Sequence, residues 1–225
     1  KSNLSFIIPS AAFGTKSTKA LRTLLNPYKT HIIYLSGDAH PSTLFEGVKL
    51  RLSIFSINKT INEDSIFSTS YLKWYSEERD YLFDKISYTN VINYCNKTYP
   101  KIAHDIEKLI LKKIKKDNLR IDNYRVRPNT KNTIYYHNAP VFFIRSMNYI
   151  PFYESESSIE PSSNHFKNLS FDKLIQANYF LAILNSSLFF YWYTNYSANR
   201  DVTSFDIESF PVKDISNNIE IAVEN

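Results

Sequence analysis

The stretch Leu181-Ala182-Ile183-Leu184-Asn185-Ser186-Ser187-Leu188-Phe189-Phe190-Tyr191, running on through Asn199-Arg200-Asp201 to Phe210-Pro211-Val212, organises the reading of the whole chain. Phe171 to Leu184 reads as a strongly apolar helix, and Asn185 to Ser187 as its break and the cap of a second helix, Leu188 to Tyr196. Asn and Ser side chains satisfy the amides that a helix start leaves open. A helix apolar nearly all round belongs in an interior. The polar loop that follows, Ser197 to Thr203, carries Arg200, which is either an outward contact or the structural partner of Asp201.

Around this pair lie 225 residues, 43% hydrophobic and 16% aromatic, enough to bury a core as one large domain or two small ones. Abundant Tyr, Phe, Ile, Asn and Lys with few Gly and Ala resembles the coding bias of an AT-rich genome, so single Asn or Lys residues carry little weight. The net charge of +5 and pI near 9.0 favour a polyanionic partner. The lone cysteine, Cys95, excludes an intrachain disulfide or multi-Cys zinc site, reads as a buried apolar filler and fits a reducing cytoplasm. The chain starts at Lys1 without Met and without a signal segment, and reads as a fragment. Residues 174–199 carry no formal charge, but Gln176, Asn178, Asn185, Ser186, Ser187, Asn195 and Asn199 argue against a membrane span.

Residues 4–8, Leu-Ser-Phe-Ile-Ile, read as a buried strand stopped by Pro9-Ser10. Ser17 to Leu25 reads as a helix with Ala20, Leu21, Leu24 and Leu25 on one side, and His31 to Leu35 as a second strand. A polar loop, Asp38 to Gly47, presents Phe45 before the alternating strand Val48 to Phe55. This is half of an α/β domain. All three glycines, Gly14, Gly37 and Gly47, fall in this part without a Gly-x-Gly, so no glycine-rich cofactor or phosphate loop is expected.

Asn58 to Ser65 reads as a linker, with a domain boundary at 62/63, followed by an extended aromatic stretch, Phe67 to Tyr75, and a short helix, Glu77 to Ile86. Tyr99 to Lys116 has the period of an amphipathic helix, with Ile102, Ile106, Leu109, Ile110 and Ile114 on one side and Lys101, Lys108, Lys112 and Lys115 opposite, ordinarily a solvated stripe. Arg120, Arg125, Arg127 and Lys131 follow in a loop with Tyr124, Pro128 and Asn129, where Arg forks suit phosphate or guanine edges. Thr133 to His137 and Val141 to Arg145 alternate as two short strands, in which Tyr135, Tyr136 and His137 either pack, the first expectation, or hydrogen-bond or lie on sugar, and Glu154 to Asn168 reads as a surface loop without chemistry.

The order of elements over residues 1 to about 60, where a strand ending in Pro leads through a helix to a hairpin, resembles the last third of the catalytic domain of TaqI-like, adenine-specific DNA methyltransferases and fused type II restriction-modification enzymes. The Leu-Asn-Ser break, aromatic run and closing Phe-Pro-Val resemble the C-terminal part of their target-recognition domains. The resemblance implies an α/β fragment, 1–62, at the end of a methyltransferase-like sheet. It implies an α+β target-recognition domain, 63–225, built on the buried apolar helix pair. It further implies double-stranded DNA and the remainder of the catalytic domain as partners. Phe45 matches the aromatic that stacks on the flipped adenine, and otherwise is a core residue of its loop; Lys49 then meets a phosphate or merely solvates its strand. Arg200 is the first expected DNA contact of the second domain, with Arg120, Arg125, Arg127, Lys131 and Arg145. The middle, residues 60–165, departs most from the resemblance.

Chemistry is missing from the chain itself. The family's Asn-Pro-Pro-Tyr or Asp-Pro-Pro-Tyr clamp is absent; Asn26-Pro27-Tyr28 lacks a proline and reads as a helix stop and turn. S-adenosylmethionine is therefore expected in the complete enzyme but not in this chain, which is not catalytic alone. His31, His40, His104, His137 and His165 show no ligand spacing, Glu77, Glu78 and Asp80 lack a nuclease pattern, and no serine sits on a glycine-flanked turn. Two other readings are a stand-alone specificity subunit docking on a separate catalytic chain, and a protein-interaction module that binds no DNA.

Overall fold

A computed structural model describes residues 3–37, 43–58, 65–84, 86–95, 97–127, 129–140, 143–155, 158–161 and 165–215. The chain is mixed α/β and divides into two compact units, 1–113 with 194–199, and 114–193 with 200–225.

The first unit is built on a five-stranded sheet. Its strands are β1 (Asn3–Pro9), β2 (Lys29–Leu35), β3 (Leu52–Asn58), β4 (Ile66–Leu72) and β5 (Thr89–Asn90), in the order β1-β3-β2-β4-β5. β3 lies between β1 and β2 and is antiparallel to both, while β4 runs parallel to β2 and antiparallel to β5. The expected boundary at 62/63 thus falls within one sheet, because β4 and β5 complete it; residues 59–64 of the expected linker lie outside the described residues.

β1 is a strand but not a buried one. It forms the sheet's edge, with Leu4, Phe6 and Ile7 all exposed, Phe6 by 49%. The helix after it is in two pieces, α1 (Ala11–Gly14) and α2 (Lys19–Leu25). α2 buries Arg22 and Leu25, while Leu24 faces solvent. Arg22 is tolerated inside because its guanidinium donates to the carbonyls of Ala12 and Lys97 and to the Thr18 hydroxyl. The last strand of the expected unit begins at Leu52, and Val48 to Arg51 is irregular.

One face of this sheet packs Phe13 between aromatic neighbours, parallel to Tyr99 at 5.9 Å and edge-on to Tyr34 and Phe55. The other gathers Leu35, Leu52 and Trp74, with Ile33, Leu44, Ile54, Leu72 and Leu82 against them. A 3-10 helix, Ser76–Tyr81, replaces the expected helix Glu77 to Ile86.

The amphipathic helix is shorter than its sequence period. α3 spans Asp105–Ile114, and Tyr99, Lys101, Ile102 and Ala103 are buried ahead of it. Pro100 disfavours a helical conformation for Tyr99. The Glu107 carboxylate accepts the N–H groups of Ala103 and His104 at 2.8 and 2.9 Å, fixing the start. Lys101 therefore leaves the solvated stripe: it is fully buried, donates from Nζ to the carbonyls of Thr194, Asn195 and Ser197, and lies 5.4 Å from the Tyr34 ring centre.

The second unit holds a four-stranded antiparallel sheet in the order β6-β11-β7-β8. These strands are β6 (Arg125–Val126), β7 (Thr133–His137), β8 (Ser146–Met147) and β11 (Phe166–Phe171); β9 (Phe152–Ser155) and β10 (Ser158–Pro161) form a separate hairpin. The expected surface loop Glu154 to Asn168 thus contains a hairpin and part of a central strand. The signal lay in Leu169-Ser170-Phe171, apolar at alternate positions, and the polar residues before it obscured the strand. β8 follows Arg145 instead of ending on it, and residues 141–142 lie outside the described residues.

The helix pair is present, as α4 (Leu174–Leu184) and α5 (Ser187–Tyr196). Phe180 of α4 stacks on Phe171 at 4.9 Å, although Leu174 stays exposed. Asn185 does more than break the helix. Its Oδ1 accepts the Ser146 N–H at 3.1 Å and its Nδ2 donates to the Ser146 carbonyl at 3.0 Å, clipping the break to β8. Phe189 and Trp192 of α5 meet Phe210 edge-on, so the closing Phe-Pro-Val is core. A further helix, α6 (Ser204–Glu208), follows the Arg200 loop and begins on a Thr203–Asp206 capping box. Among the described residues no helix is long and apolar enough to cross a membrane.

Candidate nucleic-acid interface

In the first unit the turn carrying Phe45 is held from several sides. Leu44 packs on the Leu35, Leu52 and Trp74 cluster, Arg79 donates to the carbonyls of Thr43 and Leu44, and the Thr43 hydroxyl donates to the Phe45 carbonyl at 2.9 Å. Gly47, at φ +71°, lets the turn close onto the Val48 N–H, which donates to the Phe45 carbonyl. Phe45 itself is 44% exposed, so Leu44 and not Phe45 is the loop's core residue. Lys49 is exposed in the irregular segment beyond. A cleft of about 370 Å³ also touches Trp74, but Glu77, Glu78 and Asp84 line it, which is the wrong sign for phosphate.

In the second unit the basic residues sort into two groups. Arg120 is half-buried and donates to the Ser209 carbonyl at 3.0 Å, serving the end of α6. Arg125 is spent on Glu208: the two form a close ion pair, with the Arg125 side chain only 18% exposed. Arg127 reaches the same carboxylate only at 3.8 Å and is 75% exposed. Lys131 and Arg145 are exposed. Arg200 is 80% exposed and lies 3.9 Å from Asp201 across solvent, a contact of little energetic value. Of the expected contacts in this unit, Arg127, Lys131, Arg145 and Arg200 thus face outward, and Arg120 and Arg125 are structural.

The sheet of this unit presents two chemically different faces. Ile134 and Leu169, paired in register, are buried on the side where Phe171 stacks on α4. The alternate positions Thr133, Tyr135 and His137 lie opposite Ser170, Asn168 and Phe166, and Met147 lies opposite Tyr135. Hydrogen bonds confirm the shared face: Thr133 and Ser170 hydroxyls meet at 2.7 Å, and Asn129 Oδ1 accepts from Asn168 Nδ2 at 3.3 Å. Tyr136 packs as expected, but Tyr135 and His137 are only half-buried. Partial burial lowers the His137 pKa, and the positive charge of Arg145 and proximity of His165 lower it further, against a bond to the Ala139 carbonyl that raises it.

The glycines do not form a cofactor loop. A Cβ on Gly14 would meet the Ser197 carbonyl oxygen at 2.5 Å and one on Gly37 would meet Leu50 backbone at 1.9 Å, so both are packed against chain. Among the described residues no group of three His, Cys, Asp or Glu side chains is arranged to hold a metal. Cys95 is half-buried and its thiol donates to the Val91 carbonyl at 3.3 Å. Neither a family model nor any curated protein matches the chain.

Proposed function

We propose that the chain is the DNA-reading C-terminal part of a TaqI-like, adenine-specific methyltransferase or fused restriction-modification enzyme, gripping duplex DNA and lending Phe45 to an extruded adenine. The observation that carries this reading is the Phe45 turn, where an anchored backbone holds an aromatic ring out to solvent at the position the resemblance marks. An unstacked base needs a π-face to replace its lost neighbours. The β1-to-Pro9, helix and antiparallel β2–β3 order supports it as well. Methyl transfer would be completed by the remainder of the catalytic domain, which brings the cofactor and the amine clamp.

The test is fluorescence anisotropy of the chain with a labelled duplex across a salt series. One phosphate neutralised by each of Arg127, Lys131, Arg145 and Arg200 predicts a slope of log K against log salt of roughly −3 to −4. No binding at low salt sinks the reading. In the complete enzyme, a fluorescent adenine analogue at the target should respond differently to Phe45→Ala, and an identical signal removes the stacking role.

The specificity-subunit reading has one observation in its favour. Among the described residues β1 ends its sheet, with apolar side chains on both faces, as suits continuation by another strand, whether from the same polypeptide or a separate catalytic chain. Light scattering of the chain mixed with a catalytic partner distinguishes these.

A further inference from the structure

We infer that sequence is read by the polar face of the β6-β11-β7-β8 sheet, through Asn168, Tyr135 and Arg145, with duplex DNA as the occupant. The inference rests on the DNA-reading proposal above and names the surface responsible for it.

Arg145 belongs to this face by register. The His137 N–H donates to the Arg145 carbonyl at 2.9 Å, which sets Arg145 opposite His137 and, by strand alternation, beside Met147 and Tyr135. The face therefore presents an exposed guanidinium, the carboxamide of Asn168, the hydroxyl of Tyr135 and the imidazole of His137. An Arg fork suits guanine O6 and N7, and an Asn carboxamide suits adenine N6 and N7. Asn168 is preset for such a role because one amide hydrogen is held by Asn129, fixing the plane of the group.

Charge and shape favour a duplex. The strand positions of this face carry no carboxylate, and Lys131 adds positive charge from the loop before β7. Its rings are only half-buried edges, with Phe166 edge-on to His137 at 5.2 Å, so the face offers polar groups for base edges and no broad ring plane for splayed single-stranded bases.

The experiment is selection from a randomised duplex library with the full chain, alongside Asn168→Ala, Arg145→Ala, Tyr135→Phe and the control Lys112→Ala on α3, each first checked for unchanged circular dichroism. The expected result is a motif enriched by the unaltered chain and by Lys112→Ala, with preference at one position relaxed roughly tenfold or more in Asn168→Ala or Arg145→Ala. Affinity of Asn168→Ala for an unrelated duplex should change less than about twofold, since an amide carries no phosphate-neutralising charge. The same motif, equally enriched by all variants, overturns this face while duplex recognition stands. A chain that prefers the single-stranded library overturns the face as a duplex reader. A chain that retains no duplex at low salt fails the underlying function and the inference with it.

Discussion

His31 and His137 give the clearest single-residue consequences. His31 stacks on Phe67 at 4.9 Å and meets Tyr88 edge-on, and burial, with Lys29 adding, lowers its pKa; that of His137 is lowered as well. The native state thus refuses a proton that the unfolded chain accepts. Stability is lost as pH falls from about 6.5 through the lower native value, and above 6.5 the effect vanishes. His31→Phe keeps a ring against Phe67 and should show a smaller drop in Tm between about pH 7.5 and pH 5.5 than the unaltered chain. Equal drops would remove His31 from the account. Arg125 belongs to the same scale. Its pairing with Glu208 makes it a stabilising residue, so Arg125→Ala should cost about 1–3 kcal/mol in denaturant unfolding, whereas Arg200→Ala should leave unfolding unchanged and weaken duplex binding. The sequence placed both among the expected DNA contacts, because a list of arginines does not say which carboxylates fold back onto them.

At the scale of elements, two buried devices hold short segments in place. Lys101 satisfies carbonyls at the C-terminal end of α5, where a cation is favoured by the helix dipole and by charge-assisted hydrogen bonds. Lys101→Met fills similar space but leaves those carbonyls unserved, and should lower stability by about 2–3 kcal/mol; an unchanged unfolding midpoint would refute the cap. Gly37 is the second. Leu50 backbone passes so close that a Cβ would overlap it, so Gly37→Ala should destabilise by about 1–3 kcal/mol or more through displaced backbone. Measured stability equal to the unaltered chain would show that the segment yields. The helix pair was legible, because Asn185 to Ser187 and the apolar run around it are local signals. The extent of α3 was not, since its period continues into Lys101 and Ile102 while Pro100 and Glu107 set the boundary.

For the whole molecule, the open β1 edge is the main liability. Leu4, Phe6 and Ile7 are apolar and exposed on a strand that, among the described residues, pairs on one side only, a template for pairing with another strand. Phe6→Lys should shift light scattering of the concentrated chain toward monomer, and unchanged scattering would show that the edge does not self-associate. The division of the chain is also a property of the whole: the first unit runs past β4 and β5, which join its sheet, to Lys113, and takes in Thr194 to Asn199, whose carbonyls Lys101 serves. By itself the sequence determined the mixed α/β class, the broken helix pair and the pool of basic and aromatic candidates, since periodicity, caps and composition act over a few neighbouring residues. Tertiary structure alone decided that Phe45 faces solvent while Leu44 packs on the core, that Arg125 is consumed by Glu208 while Arg145 is not, and that Asn168 stands on a strand beside Tyr135. Those outcomes depend on which distant segments pair and in what register, and a one-residue change of register would reverse every face.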